Sequence, residues 1–260
     1  MKVVLITGAS SGIGKELAKQ FAAHDYDLVL TARRETLLQE LCEELRNEYR
    51  IEVDYFACDL AKDPKAVYDF CREKGYTVSV LVNNAGYGDY GRFDESDLDK
   101  DLGMIELNNK ALVALTYYCL NDMKKQGYGH ILNTGSVASF IPGPYMAVYY
   151  ATKAFVMSFS MALREELRKE NIRVSVLCPA PTKSAFWEVA NGETTAVYDN
   201  IFARTCEDAA KTGYEIFEKN KAYAIDGKVY RFMIGAARLM PIELAARAVG
   251  FIQSKTKHKS

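Results

Sequence analysis

Short runs of apolar and β-branched residues alternate with longer segments of helical periodicity from the first residue to about position 180. Strands that are buried on both faces have this composition, and strands that alternate with helices form parallel sheets. The pattern therefore predicts an α/β fold with a doubly wound parallel sheet of six to seven strands and helices on both faces. The predicted strands cover residues 3–7, 27–31, 53–57, 78–82, 130–134, 173–177 and a short 221–225.

Two of the predicted helical segments, residues 98–125 and 147–170, are longer and more apolar than a helix with one buried face requires. Symmetric association would cover the second face of such helices. We therefore expect a homo-oligomer, a dimer or tetramer, with a two-fold interface built from these segments.

Beyond about residue 180 the alternation ends, and residues 182–204 have little periodicity, which is typical of a substrate loop. Residues 206–260 are interpreted as a variable substrate or oligomer region that includes a C-terminal helical extension. Its apolar segment 231–241 is expected to cover the substrate pocket or a partner subunit. A membrane-surface role is the weaker alternative, since basic residues are concentrated at the very end. No linker divides the chain, so residues 1–260 are predicted to form a single domain.

The composition excludes several classes of function. The 33 Lys and Arg residues are balanced by 34 Asp and Glu residues, so the chain has no positive field for nucleic acid. Six widely spaced cysteines without a Cys-x-x-Cys pair or a histidine cluster argue against a metal site and favour a reducing compartment. The first apolar run is too short for a signal sequence, and no run of 18 apolar residues follows. We expect a cytoplasmic protein without a transmembrane segment.

A glycine-rich turn follows the first predicted strand directly and opens a helix. Its spacing is G-x-x-x-G-x-G. Gly8 permits a tight turn, Gly12 lets backbone N–H groups approach a pyrophosphate, and Gly14 permits close packing of helix on strand. The turn predicts a Rossmann-type dinucleotide site. Its residues are Gly8, Ser10, Ser11, Gly12, Ile13 and Gly14.

A second motif is a pair of residues four positions apart on a predicted helix. Tyr149 and Lys153 share one helix face, and an ammonium near a phenol favours the phenolate and lowers its pKa. Tyr150 has no lysine at the fourth position after it. Ser136 ends the fifth predicted strand, upstream of both.

Thr-Gly-Ala-Ser-Ser-Gly-Ile-Gly at residues 7–14, Asn-Asn-Ala-Gly at 83–86 and the Ser136, Tyr149 and Lys153 pattern together resemble the short-chain dehydrogenase/reductase family. The matches extend from residue 1 to about 186. The resemblance implies that Ser136 hydrogen-bonds the substrate oxygen and that Tyr149 passes the proton. It also implies that Lys153 holds the nicotinamide ribose.

Further site residues follow from the same resemblance. Asn108 matches a fourth catalytic position that places the lysine through water, with Asn109 as its nearest rival. Asn84, Ala85 and Gly86 would border the cofactor, as would Asp59 and Leu60 near the adenine. An alternative role for Asp59 is to cap the next turn. The turn after the sixth strand departs from the family pattern, because Ala180 replaces a glycine. Its candidate contacts to the nicotinamide are Pro179, Thr182 and Ser184, with either hydroxyl possible.

The choice between nicotinamide cofactors depends on the end of the second predicted strand. An acid there binds the ribose hydroxyls of NAD(H), whereas an arginine accommodates the 2′-phosphate of NADP(H). Here Ala32 holds the acid position and Arg33 follows it. The sequence therefore predicts NADP(H).

These residues predict an NADP(H)-dependent oxidoreductase that interconverts a carbonyl and an alcohol on a small, apolar substrate, with Tyr149 as general acid and base. The alternative is a catalytically silent sensor or scaffold protein that keeps the dinucleotide fold. The presence of Ser136, Tyr149 and Lys153 favours the enzyme.

Overall fold

The computed structural model describes residues 1–182, 186, 190 and 204–254. Seven parallel strands form one sheet in the order β3-β2-β1-β4-β5-β6-β7, which confirms the predicted α/β class. The order reverses between β1 and β4, and this is the point where doubly wound sheets bind ligands. The strands are β1 Lys2–Thr7, β2 Leu28–Ala32, β3 Val53–Ala57, β4 Thr77–Asn83, β5 Gly129–Thr134, β6 Ile172–Cys178 and β7 Tyr223–Ile225.

Helices cover both faces of this sheet. The first turn of the third helix illustrates the local signals, since Asp63 accepts hydrogen bonds from two backbone N–H groups and Pro64 follows it. The helices are α1 Gly12–Ala22, α2 Glu35–Tyr49, α3 Pro64–Glu73, α4 Leu98–Ile105, α5 Leu112–Gln126, α6 Ala147–Glu166, α7 Cys206–Glu218, α8 Lys228–Ala237 and α9 Ile242–Ser254.

The core has two layers because successive side chains of each strand point to opposite faces. Val4 and Ile6 of β1 pack with α1, α2 and α7 on one face. Val3 and Leu5 pack with α3, α5 and α6 on the other. The continuous apolar composition of β1 therefore reflects burial on both sides.

The predicted continuous helix over residues 98–125 is wrong in its middle. A π-helical turn at Glu106–Ala111 separates α4 from α5. It carries Asn108 and Asn109 toward the catalytic region, and π turns are frequent at such sites. The predicted apolar C-terminal helical material likewise divides into α8 and α9 at Pro241, which has no N–H to continue a helix.

The predicted substrate loop lies largely outside the described residues, including Ser184 and Trp187. Its two ends are adjacent, because Thr182 forms an isolated parallel bridge with Arg204. Among the helices that the structure describes, none has the length and apolar character needed to cross a bilayer.

Candidate active site

A cleft of about 450 Å³ opens at the carboxyl ends of the central strands, above the reversal of strand order. It collects sequence-predicted residues from seven separate parts of the chain. Those that line it are Gly8, Ser10, Ser11, Gly12, Ile13, Arg33, Asp59, Leu60, Asn84, Ala85, Gly86, Ser136, Tyr149, Lys153, Pro179 and Thr182.

The glycine turn forms one end of this cleft. Gly8 and Gly12 have φ values of +67° and +59°, which L side chains rarely adopt. Ser11 is the N-cap of α1 but makes no side-chain cap, and the first turn of α1 contains no acid. Its backbone N–H groups and the positive end of the helix dipole are therefore available to an anion.

Gly14 lies behind the cleft wall instead of lining it. A Cβ atom at Gly14 would lie 2.3 Å from the Gly8 carbonyl oxygen and 2.5 Å from Nδ2 of Asn84. This glycine therefore serves the close packing of helix on turn.

The Asn-Asn-Ala-Gly segment braces the glycine turn through Thr7, a residue that the motif analysis did not single out. The Thr7 hydroxyl accepts hydrogen bonds from the backbone N–H groups of Asn84, at 2.9 Å, and Ala85, at 3.0 Å. Asn84 Nδ2 donates to the Thr7 carbonyl at 3.1 Å. These hydrogen bonds therefore join the two loops beneath the cleft.

Two arginines stand at the same end. Arg33 lines the cleft, as predicted. Arg34, whose role the sequence did not reveal, donates from Nη2 to the hydroxyl oxygens of Ser11 at 2.6 Å and Ser10 at 3.1 Å. The end of the cleft that lies at the N-terminus of α1 therefore also carries two cationic side chains.

Asp59 lies at the cleft and also caps the next turn. Its side chain lines the cleft, and its Oδ1 accepts a hydrogen bond from the backbone N–H of Ala61 at 3.2 Å. Capping the turn holds the carboxylate at the cleft edge.

The opposite end of the cleft holds Ser136, Tyr149 and Lys153. Ser136 accepts a hydrogen bond from the backbone N–H of Ala138, which leaves its hydroxyl proton to donate elsewhere, and it hydrogen-bonds with Tyr149. Lys153 Nζ donates to the carbonyl of Thr134 at 2.9 Å and lies 5.8 Å from the centre of the Tyr149 ring. The three groups thus meet around one small volume.

Burial sets the protonation of this pair. It raises the pKa of Tyr149 to about 12, against a smaller lowering by the hydrogen bond with Ser136. It lowers the pKa of Lys153 to about 8. Exclusion of water disfavours the phenolate of Tyr149 more than its neighbours favour it. Tyr149 is therefore protonated at neutral pH.

Both asparagines of the π turn reach the helix that carries the tyrosine. Asn108 Nδ2 donates to the Thr152 hydroxyl at 3.1 Å and to the Tyr87 carbonyl at 2.9 Å. Asn109 Nδ2 donates to the Thr152 carbonyl at 3.0 Å. Asn108 lies behind the cleft lining, and Thr152, next to Lys153, is a positioning residue that the sequence did not indicate.

The outer wall of the cleft is mostly apolar and aromatic. Tyr87, Met146 and Phe186 line it, and the Phe186 ring lies 5.2 Å from that of Tyr149. The Phe93 side chain is 65% exposed and does not line the cleft.

Gln253 of α9 adds an amide to this wall. Its Nε2 donates to the Tyr150 hydroxyl at 2.8 Å, and its backbone carbonyl accepts from the Tyr90 hydroxyl at 2.6 Å. No local sequence signal connects residue 253 with this site.

Comparison with known proteins agrees with the fold. Residues 2–194 match the family model described as short chain dehydrogenase. A sulfoacetaldehyde reductase from Chromohalobacter salexigens is 37% identical over 218 residues, which cover 80% of this chain and 85% of that protein.

A very-long-chain 3-oxoacyl-CoA reductase from Kluyveromyces lactis is 34% identical over 210 residues. The match covers 77% of this chain but spans only 61% of that relative's length. Among solved structures, a short-chain dehydrogenase from Sphingobium yanoikuyae in complex with NADPH has a TM-score of 0.81 and 33% identity. It covers 91% of this chain and 93% of its own.

Proposed function

The chain belongs to the short-chain dehydrogenase family of oxidoreductases acting on CH–OH groups, and from that premise we propose that it is an NADP(H)-dependent carbonyl reductase. The observation that carries the proposal is the meeting of Ser136, Tyr149 and Lys153 at one end of a cleft. The other end of that cleft is built for phosphate.

The residues of the cleft fit a dinucleotide phosphate. The uncapped N-terminus of α1 and the turn at Gly12 suit the pyrophosphate. Arg33 and Arg34 suit the additional phosphate of NADP(H), because an arginine binds phosphate through charge-assisted hydrogen bonds and no carboxylate holds the position of Ala32. The solved relative with NADPH supports the same choice.

When bound, the reduced nicotinamide supplies a hydride. On the protein side, the Ser136 hydroxyl accepts from the backbone N–H of Ala138 and has one proton, whose hydrogen bond would pass from Tyr149 to a substrate carbonyl oxygen when substrate binds. Tyr149, protonated at neutral pH, donates its proton to that oxygen as negative charge develops. The Lys153 ammonium stabilises the phenolate that remains, and Asn108 positions this helix through Thr152.

The substrate is proposed to be a small carbonyl compound with an apolar portion. The outer wall formed by Tyr87, Met146 and Phe186 favours apolar groups. The related proteins named as reductases of a 3-oxoacyl-CoA and of sulfoacetaldehyde both act on carbonyl compounds.

A homo-oligomer is part of the proposal. Leu98, Leu102 and Ile105 of α4 are between 42% and 62% exposed, and Phe155 of α6 is 44% exposed. A two-fold interface over α4, α5 and α6 would bury these side chains. Light scattering would detect it, and a mass of 29.2 kDa at micromolar concentration would contradict it.

Substitution of Tyr149 by phenylalanine tests the chemistry. The change keeps the ring and removes only the hydroxyl, so turnover should fall by about 10²- to 10⁴-fold while NADPH binding persists. Turnover is measured by NADPH absorbance across a panel of ketones and aldehydes.

Tyr150→Phe is the matched control, because it removes the same group one residue away and should retain most of the activity. Full turnover by Tyr149→Phe would disprove the role of this hydroxyl. Cofactor binding by the unchanged protein without turnover of any carbonyl would favour the silent sensor.

A further inference from the structure

The C-terminal helix pair, α8 and α9 with the connection between them, exposes an unusual amount of apolar surface. Nine of the seventeen large apolar side chains exposed in the described structure lie within residues 228–254. Leu239, in the connection, is 89% exposed, and Phe232 of α8 is 79% exposed. Exposed apolar clusters of this size mark an interaction surface.

The exposed apolar side chains of α8 lie on one side of the helix. Tyr230 and Ile234 attach α8 to the core. Val229, Phe232 and Met233 occupy the outward positions at three- and four-residue spacing.

Helix α9 exposes apolar side chains more widely around its axis. Ala245 and Gln253 are buried, whereas Leu244 and Phe251 are 46% and 65% exposed, and Ile242 is 67% exposed. Each helix therefore presents apolar side chains to solvent besides those that it packs against the core.

The charge of this region differs in sign from that of the rest of the chain. Residues 228–254 contain four basic residues and one acidic residue, a net charge of +3. The whole chain has a net charge of −1. Basic residues are therefore not confined to the final residues but accompany the apolar side chains themselves. They are Lys228, Arg231, Arg238 and Arg247, with Glu243 as the acid.

We propose that the C-terminal helix pair binds the surface of a membrane that contains anionic lipid. Apolar side chains that enter the interface, flanked by lysine and arginine, are the features by which amphipathic helices lie on such membranes. The described helices are too short or too polar to span the bilayer, so the mode is peripheral. This inference does not depend on the reaction proposed above.

A second copy of the chain is the competing occupant of this surface. In a two-fold interface the same patch meets itself, so its net positive charge would face an identical positive charge. Anionic lipid has the complementary sign. The charge thus favours a membrane over a partner copy.

Binding to this surface would place the active-site cleft beside the membrane. Gln253, near the end of α9, lines the cleft and hydrogen-bonds with Tyr150. An apolar substrate dissolved in the bilayer would therefore lie close to the outer wall of the cleft.

Co-sedimentation with vesicles tests the proposal on the full chain. We expect the protein to pellet with vesicles of equal parts phosphatidylserine and phosphatidylcholine, and about a hundredfold more weakly with phosphatidylcholine alone. Each basic side chain near an anionic surface contributes about a fivefold change in affinity, and three net charges multiply to that value.

A variant with three exposed side chains replaced should lose vesicle binding while keeping its circular dichroism spectrum. It combines Phe232→Ser, Leu239→Ser and Phe251→Ser. The matched control replaces three exposed apolar side chains of α4, which lie beside Asp97 and Asp99, and should retain binding. It combines Leu98→Ser, Leu102→Ser and Ile105→Ser.

Failure of the unchanged protein to pellet with anionic vesicles would overturn the proposal, as would equal losses in the two variants. A C-terminal variant that is monomeric where the unchanged chain is oligomeric, with vesicle binding unaffected, would assign the surface to a second copy.

Discussion

The glycine turn and the C-terminal helix pair stand at opposite extremes of packing within one chain. At the turn, backbone atoms of two loops approach so closely that no side chain fits at Gly14. In the helix pair, Leu239 is 89% exposed and Gly235 has no atom within 4 Å of an added Cβ. The first region fixes geometry for a cofactor and tolerates little change, whereas the second is free to vary without cost to the fold.

Replacing Gly14 by alanine should give the largest effect on this contrast. The new Cβ would meet the Gly8 backbone, which cannot move without displacing the turn. We expect a loss of about 3 kcal/mol in the free energy of unfolding, measured by urea denaturation, together with lost cofactor binding.

Gly235→Ala is the matched control in the open region. It should leave stability unchanged or raise it by up to about 1 kcal/mol, since alanine favours a helix. Similar losses in the two variants would show that the packing contrast is not what distinguishes these regions.

Replacing Arg33 by alanine should affect binding and leave the fold intact. A charge-assisted hydrogen bond contributes about 1.5 to 3 kcal/mol, so NADPH affinity should fall about tenfold to a hundredfold. NADH affinity, titrated by fluorescence on the same variant, should hardly change. Equal losses of affinity for NADPH and NADH would show that Arg33 does not bind the additional phosphate.

Burial also has a consequence at His130, in strand β5. Burial lowers the pKa of His130 to about 3, below its usual 6.5. An unfolded chain therefore binds a proton at this residue that the folded chain excludes, and stability falls as the pH drops from 6.5 toward 3.

His130→Gln should lessen this acid sensitivity by up to about 1.4 kcal/mol for each pH unit, as shown by urea denaturation between pH 7 and 4.5. An unchanged slope for His130→Gln would contradict the assignment of a neutral, buried imidazole.

The smallest expected effect belongs to the most exposed side chain. Leu239→Ser removes almost no packing, so the free energy of unfolding should change by no more than about 0.5 kcal/mol. A loss as large as that of Gly14→Ala would mean that the connection between α8 and α9 is buried in an assembly.

The strands were predictable from sequence because their burial on both faces leaves a continuous apolar signal. The run at residues 53–57 coincides with β3, and the run at residues 3–7 lies within β1. The glycine turn and the Tyr149 and Lys153 pair were equally accessible, since each depends on spacing within one turn of chain.

What the sequence did not reveal depends on contacts between distant segments. Gln253 meets Tyr150 more than a hundred residues away, and Arg34 meets two serines more than twenty residues before it. The pKa of Tyr149 depends on more than local spacing for a related reason. Spacing on a helix reports the neighbouring ammonium but not the burial that outweighs it.

The π turn at Glu106–Ala111 makes chain length, and not only residue identity, a condition of activity. Deleting one residue there would allow α4 and α5 to join in a regular α-helix, a more favourable backbone conformation. It would also remove the bulge that displaces the side chains of this turn from regular helical positions. Asn108 and Asn109 would then lose their hydrogen bonds with Thr152, so a shorter chain would gain a more regular helix and lose the contacts that align the helix carrying Tyr149.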